Sequence, residues 1–341
     1  MNNNGTITNS GIGTATVSVS GVIGPNVTGV IQNSLTSTLA LQAVNTFTSG
    51  LTIRAGTVLV GNGTTSGITA GAATSVITIG HTSGANNASL LANQSSGTIS
   101  LANPIVLATG TTGLLTIGNS TAPTTGQTTF SGGITGTNDL RIANNSNSSS
   151  VVTISTGAVN NNGAIFNVGT GTAGVAISSV IGTLVTGVTQ SSATSVLTLS
   201  GVNTYTTPTT VTAGTLAVGG AGSLAGTQVT VQSGGTLSLQ STAAVVLGTS
   251  GSPTLTIDGG GVLSFLDTAA RSFTINSATA AATVLLLGGA SAPAILNFEL
   301  GAAALPTRSR SARACWLAST PAASSLIPRP SAAFRREITL R

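Results

Sequence analysis

The chain has 341 residues, of which 40% are hydrophobic but only 4% charged and 3% aromatic. That is enough apolar mass for a core, with far less charge than the roughly one quarter of an ordinary globular protein. General disorder is excluded, because disordered chains are poor in Val, Ile and Leu and usually rich in charge. A nucleic-acid footprint on the body is excluded as well. Seven of the ten basic residues, all of them Arg, lie beyond residue 300. Residues 1–300 keep three Arg against Asp139, Asp258, Asp267 and Glu299, whereas nucleic-acid binding needs basic residues spread over a folded face.

From the N-terminus, Met1 is followed directly by Asn2-Asn-Asn-Gly5. No signal peptide is visible there, and because the segment aligns inside a repeat, Met1 reads as an arbitrary start within a longer gene. The repeat is large. Residues 2–61 align without a gap on residues 160–219, with about 35 of the 60 positions identical. Asn2-Asn-Asn-Gly5 falls on Asn160-Asn-Asn-Gly163, Gly13-Thr-Ala15 on Gly171-Thr-Ala173, and Val22-Ile-Gly24 on Val180-Ile-Gly182. This is a tandem duplication.

A smaller spacing lies inside it. Thr38-Leu-Ala-Leu41, Val76-Ile-Thr-Ile79, Leu114-Leu-Thr-Ile117 and Val151-Val-Thr-Ile154 begin 38, 38 and 37 residues apart, and Val196-Leu-Thr-Leu199 follows 45 later. Two solenoid turns of roughly 19–21 residues would account for the 38, and fixed periods of this size mark stacked repeats. Each block is a strand by its alternation of β-branched and apolar residues. In the second copy Val196–Leu199, Thr210–Thr212 and Thr215–Val218 read as three short strands with Val211, Leu216 and Val218 on the buried face. A helix is disfavoured, since Thr and Val lose rotamer freedom in it and Gly costs backbone entropy.

Three strands and three turns in about 20 residues make one rung of a parallel β-helix. Rungs about 4.8 Å apart then give residues 1–300 some 15 rungs and a rod of order 70 Å. Val, Leu and Ile fill the interior while Ser, Thr and Asn face out, and Asn144–Ser150 loops out of the rod. Gly220–Ser223 and Ala278–Ala282 are weakly patterned. Residues 272–298 are uncharged, but Gly288, Gly289 and Pro293 favour strand–turn–strand over a membrane helix. The competing architecture is a β-sandwich, disfavoured by the absence of two-residue hairpin turns.

Leu199-Ser-Gly-Val-Asn-Thr-Tyr-Thr206, followed by Thr209-Thr-Val-Thr-Ala-Gly-Thr-Leu-Ala-Val218, resembles the autotransporter-associated β-strand repeat of bacterial surface-protein passenger regions. Leu41-Gln-Ala-Val-Asn-Thr-Phe-Thr48 with Thr52–Val60 is a looser copy, in which Gln42-Ala43 replaces Ser-Gly. The motif covers only these two stretches, Leu199–Val218 and Leu41–Val60. The resemblance implies a right-handed β-helix exported to the cell surface and implies no catalytic residues. The family's translocator β-barrel and N-terminal signal are both missing from this sequence.

Residues 301–341 change character: Arg, Pro, Ala and Ser dominate, and the single Cys and Trp appear together as Cys315 and Trp316. Three readings stand: another reading frame, a disordered basic anchor for an acidic surface, or a short amphipathic helix around Arg308–Leu317. One cysteine permits no internal disulfide, which is compatible with secretion without requiring it.

Candidate chemistry is sparse. Gly169-Thr-Gly-Thr-Ala-Gly174 fits a dinucleotide-binding pattern, but neither a following helix nor an acidic residue some 20 positions on supports it. His81, the sole histidine, reads as a solvated turn residue without a triad partner. The enzymatic alternative is polysaccharide cleavage by the surface carboxylates Asp258, Asp267 and Glu299. Against it, Asp258 suits a turn and Asp267 suits an ion pair with Arg271. Ice binding through Thr-x-Thr is disfavoured because Thr210–Thr212 and Thr254–Thr256 are 44 residues apart and form no continuous row.

The sequence therefore predicts an all-β, right-handed parallel β-helix (β-solenoid) with a disordered basic tail. It divides into 1–159, 160–300 and 301–341. The expected role is a structural or adhesive shaft at the cell surface or outside the cell, without catalysis, cofactor or metal. The expected partners are a surface or matrix ligand, flanking repeats or a translocator domain. Nucleic acid is not among them, and the open ends of the solenoid favour self-association.

Overall fold

A computed structural model describes residues 1–120, 126–224 and 226–241. Further on it describes 245–247, 254–265, 273–275, 285–288, 292–298, 312–314 and 336–338. The described chain is all-β, a parallel solenoid of about ten turns. Each turn visits three faces in a fixed order. Face one begins with β1 (Thr6–Asn9) and continues with β3 (Gly29–Asn33). Face two begins with β2 (Val17–Val19) and β4 (Leu39–Leu41).

The first turns meet on face three without forming strands there. Thr46 N–H donates to Ile23 O at 2.9 Å, and Val44 bridges Thr69. Strands populate that face from β8 (Thr98–Leu101) onward. The 13-residue β5 (Leu51–Gly63) turns a corner: Leu51–Ile53 lie on face one and Val58–Val60 on face two.

Face one proceeds through β6 (Ile77–Ile79), β9 (Ile105–Leu107) and β12 (Ile134–Gly136), then by bridges to Val159 and Ile181. Face two proceeds through β7 (Ala88–Gln94), β10 (Leu115–Asn119), β13 (Leu140–Asn144), β15 (Ala164–Asn167), β17 (Gly187–Gln190), β19 (Thr209–Val211), β21 (Val229–Val231), β24 (Leu255–Ile257) and β27 (Leu285–Leu287). Face three carries β11 (Gln127–Phe130), β14 (Val152–Ile154), β16 (Val175–Ile177), β18 (Leu197–Leu199), β20 (Gly214–Gly220), β22 (Gly235–Ser241), β25 (Val262–Phe265) and β28 (Ile295–Phe298).

All these pairings are parallel, which removes the sandwich. Among the described residues, antiparallel pairing occurs only at the C-terminal end. There β29 (Ala312–Ala314) lies on β28, and β30 (Arg336–Ile338) on β26 (Phe273–Ile275), which itself pairs with β23 (Val245–Leu247). The rest of the predicted tail, with Cys315, Trp316 and the helix considered at 308–317 apart from Ala312–Ala314, lies outside the described residues, as does Ala278–Ala282. No described helix is long and apolar enough to cross a membrane. The described parts of 272–298 include β26, β27 and β28.

The core is one continuous column of inward Val, Leu and Ile running from Val19 to Leu263. The strands alternate buried and half-buried positions, as in Leu197–Leu199. The inward member of each pair contributes about 1.5–3 kcal/mol through removal from water. The predicted strands over 196–199, 210–212 and 215–218 are present as β18, β19 and β20.

Turn length differs from the expected value and is not constant. Leu39 pairs with Val58 on the next turn, but Leu263 pairs with the much more distant Leu296. Longer turns use up the chain faster, so it makes about ten of them and not the larger number expected. The evenly spaced blocks are not two turns apart either. They fall in β4 on face two, β6 on face one, β10 on face two and β14 on face three. The loop expected at Asn144–Ser150 is instead a folded corner, in which Asn144, Ser146 and Ser150 are wholly buried and Asn144 Nδ2 donates to Ser150 O at 2.7 Å.

The duplication has an unexpected phase. β1, β2, β3 and β4 lie on faces one, two, one and two, whereas their counterparts β15, β16, β17 and β18 lie on faces two, three, two and three. Along face one, β1, β3, β5, β6, β9, β12 and Val159 are seven successive levels, and β15 is the next strand on face two. The two copies are therefore offset by six turns plus one face. The same sequence is turned by one side of the rod.

Candidate functional site

The inward corners are polar. At the end of β1, Asn9 Nδ2 donates to Gln32 Oε1 at 2.8 Å, and Gln32 Nε2 donates to Ser34 O at 2.9 Å and Ser37 O at 2.6 Å. In the second copy Asn167 Nδ2 donates to Gln190 Oε1 at 2.8 Å, and Gln190 Nε2 to Ser192 O at 2.7 Å and Ser195 O at 2.9 Å. Ser37 Oγ donates to Ala15 O, and Ser195 Oγ to Ala173 O. Ser34 and Ser192 donate to Gly11 O and Gly169 O. Ile23 N–H donates to Asn45 Oδ1 and Ile181 N–H to Asn203 Oδ1, both at 3.0 Å.

The network is thus reproduced on a different pair of faces. A buried side-chain amide has few ways to satisfy itself, and each unmade bond costs about 1–3 kcal/mol. The corner is therefore specified by its own residues, whichever face it joins. Polar residues fill the interior at these corners, where the sequence placed them outside. A signal for them was present: Asn9, Gln32, Ser34, Ser37 and Asn45 are all identical in the second copy.

The outer surface presents rows. Thr189 pairs with Thr210, Thr210 with Thr230, and Thr230 with Thr256 on consecutive turns of face two. The expectation that Thr210 and Thr256 share no row is therefore wrong. Two turns separate them, and Thr230 stands between. The flanking positions Thr212, Gln232 and Asp258 are mixed, so the threonines form a single row. Directly opposed threonines support a sheet by cross-strand contact.

Asp258 is half-buried and closes β24: its N–H donates to Val231 O at 2.8 Å and its carbonyl accepts from Gly261 at 2.9 Å. Asp267, Glu299 and Arg271 lie outside the described residues, so no carboxylate pair is brought together by the described chain. His81 sits in an exposed turn, its Nδ1 accepting from Ser83 N–H at 3.2 Å. Gly169–Gly174 joins β15 to β16, with no helix after it. Gly171 and Ala173 N–H donate to Asn144 O and Ser146 O, each at 3.1 Å. Its glycines let one corner lie flat on the corner below. Among the described residues no three His, Cys, Asp or Glu side chains gather in a metal-binding group.

The phenol of Tyr205 is the one strongly perturbed titratable group among the described residues. Complete burial pushes it well above its usual range, and the Thr209 hydroxyl partly offsets this.

Compared with family models, curated proteins and solved structures, the chain matches none.

Proposed function

We propose that this chain is a structural shaft: a stiff, nearly uncharged β-solenoid that holds other parts of a surface or secreted protein at a distance. One observation carries the reading. Within the strands, most inward residues are retained between the two copies, while most outward ones differ. Ile7, Asn9, Val17, Val30, Gln32, Leu39 and Leu41 recur as Ile165, Asn167, Val175, Val188, Gln190, Leu197 and Leu199. Outward in the strands, Thr8, Ser18, Ile31, Ala40 and Leu59 become Phe166, Ala176, Thr189, Thr198 and Ala217, whereas Thr52 and Thr57 recur as Thr210 and Thr215, and exposed turn residues such as Val22 and Val44 recur as Val180 and Val202.

A duplicated binding site would keep its outer residues and point them the same way. Here most outward strand residues vary, and the copies are turned by one face, so the exposed residues that do recur point in different directions. What was copied is the means of stacking. The resemblance to the autotransporter-associated repeat supports placing such a shaft at the bacterial cell surface, with adhesion to a surface or matrix ligand as its use and no catalysis.

Negative-stain microscopy of the full chain tests the shaft. Ten turns at about 4.8 Å predict a rod with a body of roughly 50 Å and constant width, and a globular particle would overturn the reading. Incubation with a polysaccharide panel is expected to release no reducing ends. Release that is lost in Asp258→Ala would replace the shaft with an enzyme.

A further inference from the structure

Strands from the chain's own basic tail lie on the last turns of the solenoid. The ladders they join are parallel up to that point: Phe273 of β26 lies on Val245, and Leu296 of β28 on Leu263. Then the direction reverses. In β29, Ala312, Arg313 and Ala314 pair antiparallel with Phe298, Asn297 and Leu296. In β30, Arg336, Glu337 and Ile338 pair antiparallel with Ile275, Thr274 and Phe273. The two strands belong to separate sheets, so the reversal occurs at two distinct edges.

A parallel solenoid grows because each turn leaves an edge that accepts another turn running the same way. An antiparallel strand on that edge occupies its free N–H and C=O groups in a different hydrogen-bond pattern. The strand that then lies outermost must not recruit another, and natural sheets blunt such edges with charge and proline. Both are concentrated in this segment. Residues 301–341 hold seven of the ten Arg and four of the ten Pro, and β29 and β30 themselves contain Arg313, Arg336 and Glu337.

Glycine supplies a complementary argument. Corners stack flat where no Cβ intervenes: a Cβ on Gly171 would collide with Ser146 O, and one on Gly201 with Ser179 O. The chain has 45 glycines, yet none follows Gly301. The tail therefore lacks the residue that lets one corner lie on the corner before it.

We infer that the basic tail is a cap: β29 and β30 close the edges left by β28 and β26 and end parallel stacking there, whatever sequence lies beyond. The change in composition after residue 300 is then the mark of a terminating segment, and neither another reading frame nor an anchor for an acidic surface is needed to account for it. The inference does not depend on the shaft reading, since a solenoid of any function needs capped ends to stay soluble.

Hydrogen exchange on the full chain, read by mass spectrometry, tests the contact. Amides within 312–314 and 336–338 are expected to exchange at least about tenfold more slowly than in the urea-unfolded chain. Size exclusion coupled to light scattering tests the role. Ala312→Pro/Arg313→Pro/Ala314→Pro combined with Arg336→Pro/Glu337→Pro/Ile338→Pro removes every N–H donor of both strands. This variant is expected to keep the parent's far-ultraviolet dichroism but to grow into open-ended assemblies with concentration, where the parent keeps a discrete mass. Ser324→Pro, in the tail but outside both strands, is expected to behave as the parent. Exchange at the unfolded rate in either strand, a proline variant with the parent's mass, or a parent that grows as readily as the variant would each overturn the proposal.

Discussion

The phenol of Tyr205 lies 2.8 Å from the Thr209 hydroxyl, and both side chains are wholly buried in the core. The first copy has Phe47 and Leu51 at these two positions, also wholly buried. A polar pair in one copy has an apolar pair in the other, so each hydroxyl is tolerated because its partner is present.

Exchange between the copies should therefore be coupled. Tyr205→Phe alone is expected to cost about 1 kcal/mol, the net value of one hydrogen bond, since Thr209 still reaches Thr227 Oγ1 at 3.4 Å. Phe47→Tyr should cost about 2–3 kcal/mol, because Leu51 offers the new hydroxyl nothing and a buried unpaired hydroxyl is costly. Phe47→Tyr/Leu51→Thr should recover part of that loss. Urea unfolding of these chains together with Leu51→Thr completes the cycle and measures the coupling, and strictly additive costs would refute it.

The same tyrosine sets an alkaline limit. Its folded value is raised above the unfolded one, so the stabilisation is present below about pH 10 and is lost as pH rises past the unfolded value. Unfolding midpoints should fall above pH 10 in the parent chain and fall less in Tyr205→Phe. Identical profiles would show that the phenol is not buried.

Gln32 and Gln190 should be equally sensitive. Replacing Gln190 by Leu takes the glutamine partner from the Asn167 amide and from the carbonyls of Ser192 and Ser195, leaving Asn167 Nδ2 only its bond to Ser195 O at 2.9 Å, and Gln32→Leu does the same to Asn9, Ser34 and Ser37. Each change is expected to cost roughly 2–4 kcal/mol, since several buried groups lose partners at once. Thermal unfolding checks both, and a neutral result at either position would mean that the amides do not hold the corners.

Gly56 and Gly214 are the matching corner glycines, with φ of 76° and 62°. A Cβ on either would collide with the carbonyl of Ser34 or Ser192 in the adjoining turn. Alanine at each is expected to destabilise by more than the ~1–2 kcal/mol of the left-handed conformation alone. Wild-type stability in both alanine variants would contradict the tight corner stacking.

Much of the fold was legible, for a physical reason. Alternation in segments such as Val196–Leu199 reports a buried face directly, and parallel stacking is the economical way to bury many three-residue strands. Turn length was not legible. Strands of the same pattern serve all three faces, so the regular spacing of Leu39 and Ile77 carries no label for which face each joins. Asn144–Ser150 was misplaced for a related reason. A polar run reads as solvent-facing unless its internal partners are known, and here those partners lie within the corner itself and one turn away. Of the candidate site, the inward polar corners were legible only as residues repeated in both copies, while the Thr189–Thr256 row emerged only once the turns were counted.

The central claim is that successive turns lie one upon another along a single axis, and a long-range distance tests it most directly. Ser18 and Thr256 both belong to outward positions of face two, ten turns apart in the ladder. Spin labels on Ser18→Cys and Thr256→Cys, with Cys315→Ser and dilution into unlabelled chain, should report a narrow distance near 48 Å at about 4.8 Å per turn. A distribution centred below about 25 Å, roughly half that axial rise, would mean a compact body and would contradict the stacked rod.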